Sequence, residues 1–252
     1  MSITAPGPPP TMVTLGRGFF DLQFQFARTA SALGGLPLPR ALLEYTNLYI
    51  RFGLGRAFDP AHPGWQEYLV GLNDASDPLE WTHRFYLTRP PASTVPNVVA
   101  TAGCFSYARL STDRIRLHFH DAETEGRSPL AIDRRERRMA ELAALFQHVR
   151  RAMPDSPRVV GASWLYNLDA YRGLFPASYL ATARVLPHRF QHMPLWGQFV
   201  SRSGKVRQDM ARQFLNALGS QSRLDDLDQC FPLQVLGLEA PAEAFYELYG
   251  IS

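Results

Sequence analysis

A strand–helix–strand pattern in the second half of the chain constrains the fold more than any other feature. "RIRLHFH" at 114–120 alternates apolar and polar residues, as a strand does, and "SPRVVGASWLY" at 156–166 has the apolar run of a buried strand. Residues 129–153 lie between them and place apolar residues at steps of three and four: Met139, Leu142, Phe146, Val149 and Met153. Two strands joined by a helix are usually parallel strands of one sheet. The pattern therefore predicts an α/β fold.

The rest of the chain divides by its hydrophobic periodicity. The first half favours helices at 17–34, at 39–53, after Pro63 and after the Asp77-Pro78 pair. "NVVATAGCFSYARL" predicts a hairpin partner for 114–120, and further strands are predicted in "YLATARVL", "PLWGQFV" and "FPLQVLGL". The predicted class is α/β, with α+β as the alternative: a helical N-terminal part followed by a mixed sheet flanked by helices.

A proline-rich stretch, "RPPASTVP" at 89–96, is the predicted boundary between these parts. It separates a helical part at 17–90 from an α/β domain at 97–252, although the two could share one core. Residues 1–16 contain four prolines and lack the basic and apolar regions of a signal peptide, so we expect a disordered leader.

Composition restricts the classes of partner. Hydrophobic residues make up 46% and charged residues 19% of the chain, as in ordinary globular proteins. A net charge of +3 does not argue for nucleic-acid binding, and no apolar run approaches the roughly 18–20 residues of a membrane span. Cys104 and Cys230 are the only cysteines, which suits a reducing compartment as well as a single disulfide. We therefore expect a cytoplasmic protein that acts on a small molecule.

The stretch "LHFHDAETEGRSPL" at 117–130 is the predicted functional loop, and its histidines permit one interpretation as a metal site. His118 and His120 are two residues apart on a predicted strand, so both side chains point the same way. Together with Glu125, or alternatively with Glu123 or Asp121, they would offer two imidazoles and a carboxylate to one metal ion. The alternative is a polar strand exit without a metal.

A second interpretation of this loop depends on its position. Ligands of open α/β sheets bind at the carboxyl ends of strands, near helix N-termini. Gly126 would allow close backbone approach, and Arg127 with the N–H groups after Ser128 would attract an anion. The acidic residues of the loop oppose a phosphate. Without a ligand, Ser128 would be the N-cap and Pro129 the first residue of the helix.

The end of the second predicted strand offers further candidates. Ser163 lies in "GASWL", which is part of the G-x-S-x-G nucleophile pattern, but a serine between strand and helix also suits a turn or cap. Trp164 and Tyr166 predict a polar-aromatic wall of a substrate pocket. Ordinary core packing is the alternative for these aromatic residues.

Several short motifs give the second half a family resemblance. They are Leu117-His118, Ser163-Trp164-Leu165, Leu174-Phe175-Pro176-Ala177-Ser178 and Arg189-Phe190-Gln191. Over roughly 115–200 the chain resembles the GNAT-like C-terminal domain of a poorly described bacterial family of N-acyltransferases. The resemblance implies a GNAT-like α/β domain that takes acyl-CoA as co-substrate.

The resemblance implies transfer of an acyl group from a thioester to an amine. That chemistry needs a base for the amine, for which His118, His120 and Glu123 are the nearest candidates. Residues Gly126, Arg127 and Ser128 would hold the phosphates of the donor. Two alternatives remain: a metal-dependent enzyme using His118 and His120, and a non-catalytic ligand-binding or regulatory protein.

Overall fold

The computed structural model describes residues 13–89, 98–123, 127–155 and 157–252. These residues divide into two compact units, neither of which is continuous in sequence. The sheet unit contains the described residues of 98–186 together with 235–252, and the helical unit contains 13–89 together with 187–234. Residues 187–234, which the sequence analysis assigned to the α/β part, therefore cluster with the helices of the first half. Most of the predicted leader lies outside the described residues.

The sheet unit is built on one mixed sheet, which confirms the predicted α/β class. Its spatial order is β1-β2-β3-β4-β6-β5. The strands of the described residues are β1 Val98–Ala102, β2 Phe105–Arg109, β3 Arg114–Phe119, β4 Arg158–Ser163, β5 Arg184–Val185 and β6 Leu236–Pro241.

Helices account for most of the remaining ordered chain, and three short 3-10 helices occur at Ile132–Arg134, Trp164–Asn167 and Leu224–Cys230. The α-helices of the described residues are α1 Arg17–Gly34, α2 Leu38–Tyr45, α3 Leu48–Arg51, α4 Pro63–Asp74, α5 Pro78–Leu87, α6 Arg135–Ala152, α7 Asp169–Arg172, α8 Ala177–Leu180, α9 Met193–Gly197, α10 Gln208–Gly219 and α11 Glu243–Tyr249.

The predicted strand–helix–strand unit is present as β3, α6 and β4. Strands β3 and β4 are parallel, with Arg114 opposite Arg158 and Arg116 opposite Val160. The three registered pairs end there, although β3 continues to Phe119 and β4 to Ser163. The two strands therefore share a ladder only in their first halves.

The stretch "NVVATAGCFSYARL" forms two antiparallel strands. The sequence had predicted a single hairpin partner for 114–120. The chain reverses between Ala102 and Phe105, where Gly103 has a positive φ of 55°. A residue without a Cβ adopts this left-handed conformation without steric cost. Strand β2 then pairs with β3, with Tyr107 opposite Leu117.

The predictions for later strands were partly wrong. "PLWGQFV" contains helix α9, because Pro194 occupies the start of a helix and Leu195 and Trp196 enter the core together. "YLATARVL" is mainly helix α8 and a turn, with only Arg184–Val185 as strand. "FPLQVLGL" leads into β6 as predicted.

The core of the sheet unit lies beneath α6 and α11. Ile115, Leu117 and Val159 of the sheet pack with Phe146 of α6, and Phe146 stacks on Phe245 at a centroid distance of 4.4 Å. Burying such side chains contributes about 1.5–3 kcal/mol each. This packing holds the second half of α6 and helix α11 against the sheet.

The helical unit has its own aromatic core around Phe26 of α1. The distances between ring centroids from Phe26 to Phe190, Trp196, Phe214 and Phe231 are 5.1–5.7 Å.

Cys104 and Cys230 are both buried free thiols. None of the helices described in either unit is long and apolar enough to cross a membrane.

Candidate functional site

The candidate site begins where β3 ends. The backbone N–H of His120 donates to the carbonyl of Cys104 at 2.9 Å, so the chain stays paired with the β1–β2 turn for one residue beyond the strand. His118 lies within β3 opposite Ser106. The predicted loop at 117–130 therefore leaves the sheet directly beside the turn at Gly103 and Cys104.

Glu141 of α6 holds this turn from the helix side. Its carboxylate accepts a hydrogen bond from the N–H of Cys104 at 3.0 Å, and the residue is fully buried. A Cβ added at Gly103 would lie 2.0 Å from the Glu141 carboxyl group. Gly103 is thus needed both for its positive φ and for the close approach of this carboxylate.

Arg138 joins the turn to the loop after β3. Its guanidinium group lies 2.6 Å from the Glu123 carboxylate and 2.9 Å from the Glu141 carboxylate. It also contacts the Sγ atom of Cys104. Arg138 is 1% exposed, and the Glu123 side chain is 4% exposed. We call these four residues, Cys104, Glu123, Arg138 and Glu141, the buried charge network.

Burial governs the chemistry of the network. It raises the pKa of the Glu141 carboxyl group, against the opposing effects of the Cys104 N–H and Arg138. Burial also raises the pKa of the Cys104 thiol. A buried thiol with a raised pKa is a poor nucleophile, so Cys104 fits a structural role. The network instead anchors the loop that carries His120 and Glu123.

Both histidines of the loop are half-buried. His120 is half-buried, and burial lowers its pKa, with a smaller contribution from the positive charge of Arg138. No cluster of three metal-binding side chains occurs in the parts of the chain that the structure describes. Glu125, the third ligand of the metal interpretation, lies outside those residues.

Arg127 and Ser128, two of the three residues predicted to bind phosphate, are exposed. Arg127 is largely exposed and pairs with Asp133 at 3.1 Å. Ser128 does not cap α6, contrary to one prediction: its hydroxyl accepts from Leu130 N–H at 3.3 Å, and the helix begins only after the 3-10 turn at Ile132–Arg134. Gly126 lies outside the described residues.

The end of β4 is more tightly packed than a pocket wall. Ser163 caps the following 3-10 helix by accepting from Leu165 N–H at 3.1 Å, which matches the cap interpretation. Trp164 is half-buried, whereas Tyr166 is 3% exposed and its hydroxyl lies 2.8 Å from that of Tyr179. Burial raises the pKa of both tyrosines. Of the three residues, Tyr166 lies in the core.

Gly161 permits this tyrosine packing. A Cβ added there would lie 2.1 Å from the hydroxyl oxygens of both Tyr166 and Tyr179. We expect Gly161→Ala to lower the free energy of unfolding by about 1–3 kcal/mol, measured by urea denaturation. In a Tyr166→Phe/Tyr179→Phe background the cost should be smaller, because the closest atoms are gone. An equal cost in both backgrounds would contradict this explanation.

Sequence reasoning missed Cys104, Arg138 and Glu141. Arg138 lies outside the apolar residues by which the helix was predicted, yet the buried positions of α6 include both Arg138 and Glu141. Opposite charges three residues apart, in line with the apolar stripe, are the signal that could have revealed the pair. The glycine before Cys104 was a second, weaker signal.

Comparisons with known proteins found no relative of this chain. No profile of a known protein family matches the chain, and searches of curated proteins and of solved structures found no match. The geometry of the sheet unit is therefore the basis on which a function can be inferred.

Proposed function

We propose that this protein transfers an acyl group from a thioester donor, such as acyl-CoA, to an amine. The observation that carries the proposal is the incomplete pairing of the central parallel strands. β3 and β4 share registered pairs only from Arg114 to Arg116, while both strands continue for three further residues. The carboxyl ends of parallel strands are where α/β sheets bind ligands.

Strand alternation identifies the backbone groups that face this gap. The N–H of Leu110 donates to the carbonyl of Arg114, and the N–H of His120 donates to the carbonyl of Cys104. The even-numbered residues of β3 therefore direct their backbone N–H and C=O groups towards β2. The carbonyl of Leu117 and the backbone groups of Phe119 are therefore directed towards β4. The pantetheine arm of coenzyme A carries amide groups that could continue such a ladder as an added strand does.

The ion pairs of Glu123 reduce the main electrostatic objection to a phosphate-bearing donor. Its carboxylate is buried and lies beside two guanidinium groups, those of Arg138 at 2.6 Å and Arg137 at 3.5 Å. Its charge is thus compensated within the protein. Arg127 stands exposed on the same loop, and its partner Asp133 could be exchanged for a phosphate.

His120 is the residue we propose as the general base. Its lowered pKa, due first to burial, favours the neutral imidazole that can accept a proton from an amine. The backbone of Gly103 raises the pKa of His120, but this effect is smaller than the opposing effect of burial. Glu123 is less suited to this role because its carboxylate is engaged by Arg138.

Donor binding is the first test. We expect acetyl-CoA to raise the melting temperature of the protein, since a ligand that binds only the folded state stabilises it. Arg127→Ala should reduce that shift, because it removes an exposed guanidinium group next to the expected phosphates. Arg172→Ala is the matched control: Arg172 is also exposed and in the sheet unit, with only a 3.9 Å contact to Asp169.

Transfer is tested separately by thiol release from acetyl-CoA in the presence of a panel of amines. Amine-dependent release would support the proposal. A melting temperature that acetyl-CoA does not change would contradict the proposed donor binding. Donor binding without amine-dependent thiol release would contradict the proposed acyl transfer and would indicate a protein that only binds the donor.

A further inference from the structure

We propose that the helical unit contains a binding site for a small organic carboxylate at Arg51, with Gln23 as its second donor. This site is separate from the proposed acyl transfer and does not depend on it. The proposal rests on two buried hydrogen-bond donors that lack acceptors in the described part of the chain.

Arg51 is the first of these donors. It is 9% exposed, and its guanidinium carbon lies 5.2 Å from the centre of the Phe19 ring. No ion pair or side-chain hydrogen bond satisfies it within the described residues, and its Nε is buried without a partner. Burial lowers the pKa of Arg51 to about 10, so the group remains charged at neutral pH. An uncompensated buried charge is costly, and proteins normally pair such a group.

Gln23 is the second donor. The residue is fully buried, and its Oε1 accepts from the N–H of Asn47 at 2.9 Å. Its Nε2 has no acceptor among the residues that the structure describes. Leaving a buried donor unsatisfied is unfavourable, because the group loses its hydrogen bonds to water without gaining a replacement. The Arg51 Nε and the Gln23 Nε2 therefore both lack an acceptor among the described residues.

Helix geometry brings the two donors to the same contact. Phe19 and Gln23 are one turn apart on α1, and Arg51 follows Asn47, the residue just before α3, by four residues. Gln23 faces Asn47, and Phe19 faces Arg51. The guanidinium group and the amide thus lie on one α1–α3 contact, about one helical turn apart.

The chemistry favours a carboxylate. A single arginine offers one positive charge and a planar pair of donors, which match a carboxylate better than a dianionic phosphate. Its neighbours are the ring of Phe19 and the phenol of Tyr86, the one titratable group of the described residues with an electrostatic effect on Arg51. A water molecule could satisfy one donor but would not neutralise the charge.

Nuclear magnetic resonance of the arginine Nε–Hε groups tests the site in the full chain. We expect sodium acetate to shift the Arg51 signal in a saturable way, whereas sodium chloride at equal ionic strength and neutral acetamide should not. Arg51→Lys identifies the signal by its loss. Arg28 is an internal control, because it stands over Phe24 of the same helix at 5.7 Å but is exposed.

Two variants extend the test to stability. Acetate should raise the melting temperature of the wild type but not of Arg51→Met, and without acetate Arg51→Met should be at least as stable as the wild type. Gln23→Leu should weaken acetate binding severalfold. An Arg51 signal that ignores acetate, follows chloride equally or saturates at lower concentrations of inorganic phosphate would overturn the proposal.

Discussion

Arg138→Met should lower the free energy of unfolding of the sheet unit by about 3–5 kcal/mol, because it removes the buried cation that pairs with two buried carboxylates and leaves them only the half-exposed Arg137. Glu123 and Glu141 are 4% and 0% exposed, and the Arg138 guanidinium group lies within 2.9 Å of both carboxylates. Methionine keeps much of the volume of the side chain but none of its charge. The expected result is therefore an electrostatic loss rather than a cavity.

Arg137→Met is the matched control for this variant. Arg137 precedes Arg138 on α6 and reaches the same two carboxylates at 3.4–3.5 Å, but 46% of its side chain is exposed. Exposed ion pairs contribute at most about 1 kcal/mol. Urea denaturation, with hydrogen exchange to localise the change, measures both variants. Equal losses would show that the buried charge network does not anchor the loop.

Combining substitutions separates pairing from packing. If the cost of Arg138→Met comes from unpaired carboxylates, adding Glu123→Gln and Glu141→Gln should recover part of it. Each glutamine is close to the shape of the glutamate and carries no charge. Failure to recover any stability would indicate that the network contributes mainly through the volume of Arg138.

The sequence predicts those parts of the fold that local periodicity determines. β3, α6 and β4 were predicted because alternation and three-to-four spacing are strong over their lengths, and Asp77 caps α5 as expected, accepting from the N–H groups of Leu79 and Glu80 at 3.0 Å. The predictions failed where tertiary contacts decide. "PLWGQFV" has strand-like composition, but its start is a helix whose Leu195 and Trp196 are buried in an aromatic core.

The candidate site was predicted by position but not by composition. The strand exit at His120 follows from the topology, whereas the buried charge network depends on a turn at Gly103 that meets Glu141, 38 residues later in the chain. A charged residue on a buried helix stripe is rare, so composition assigns it to solvent. Only the three-dimensional arrangement shows that Arg138, unlike Arg137, is buried.

His120→Gln should reduce the rate of acyl transfer by about 10²–10⁴-fold, the usual contribution of a general base. Glutamine keeps a polar side chain of similar reach but cannot accept the proton of an amine. His148→Gln is the matched control, because His148 is also half-buried and burial lowers its pKa. His148 lies on α6, away from the strand exit, and its Nδ1 is 3.1 Å from the hydroxyl of Tyr107. Its rate should stay near that of the wild type.

The pH profile distinguishes a base from a structural residue. Burial lowers the pKa of His120, so the wild-type rate should fall only when the pH drops below the ordinary histidine value of about 6.5. The same shift makes the folded state bind fewer protons than the unfolded state, so stability too should decline as the pH falls through this range. His120→Gln should lose the acid limb of the rate profile and part of the acid destabilisation. A variant that keeps the limb while losing rate would exclude His120 as the base, because its titration would then not govern transfer.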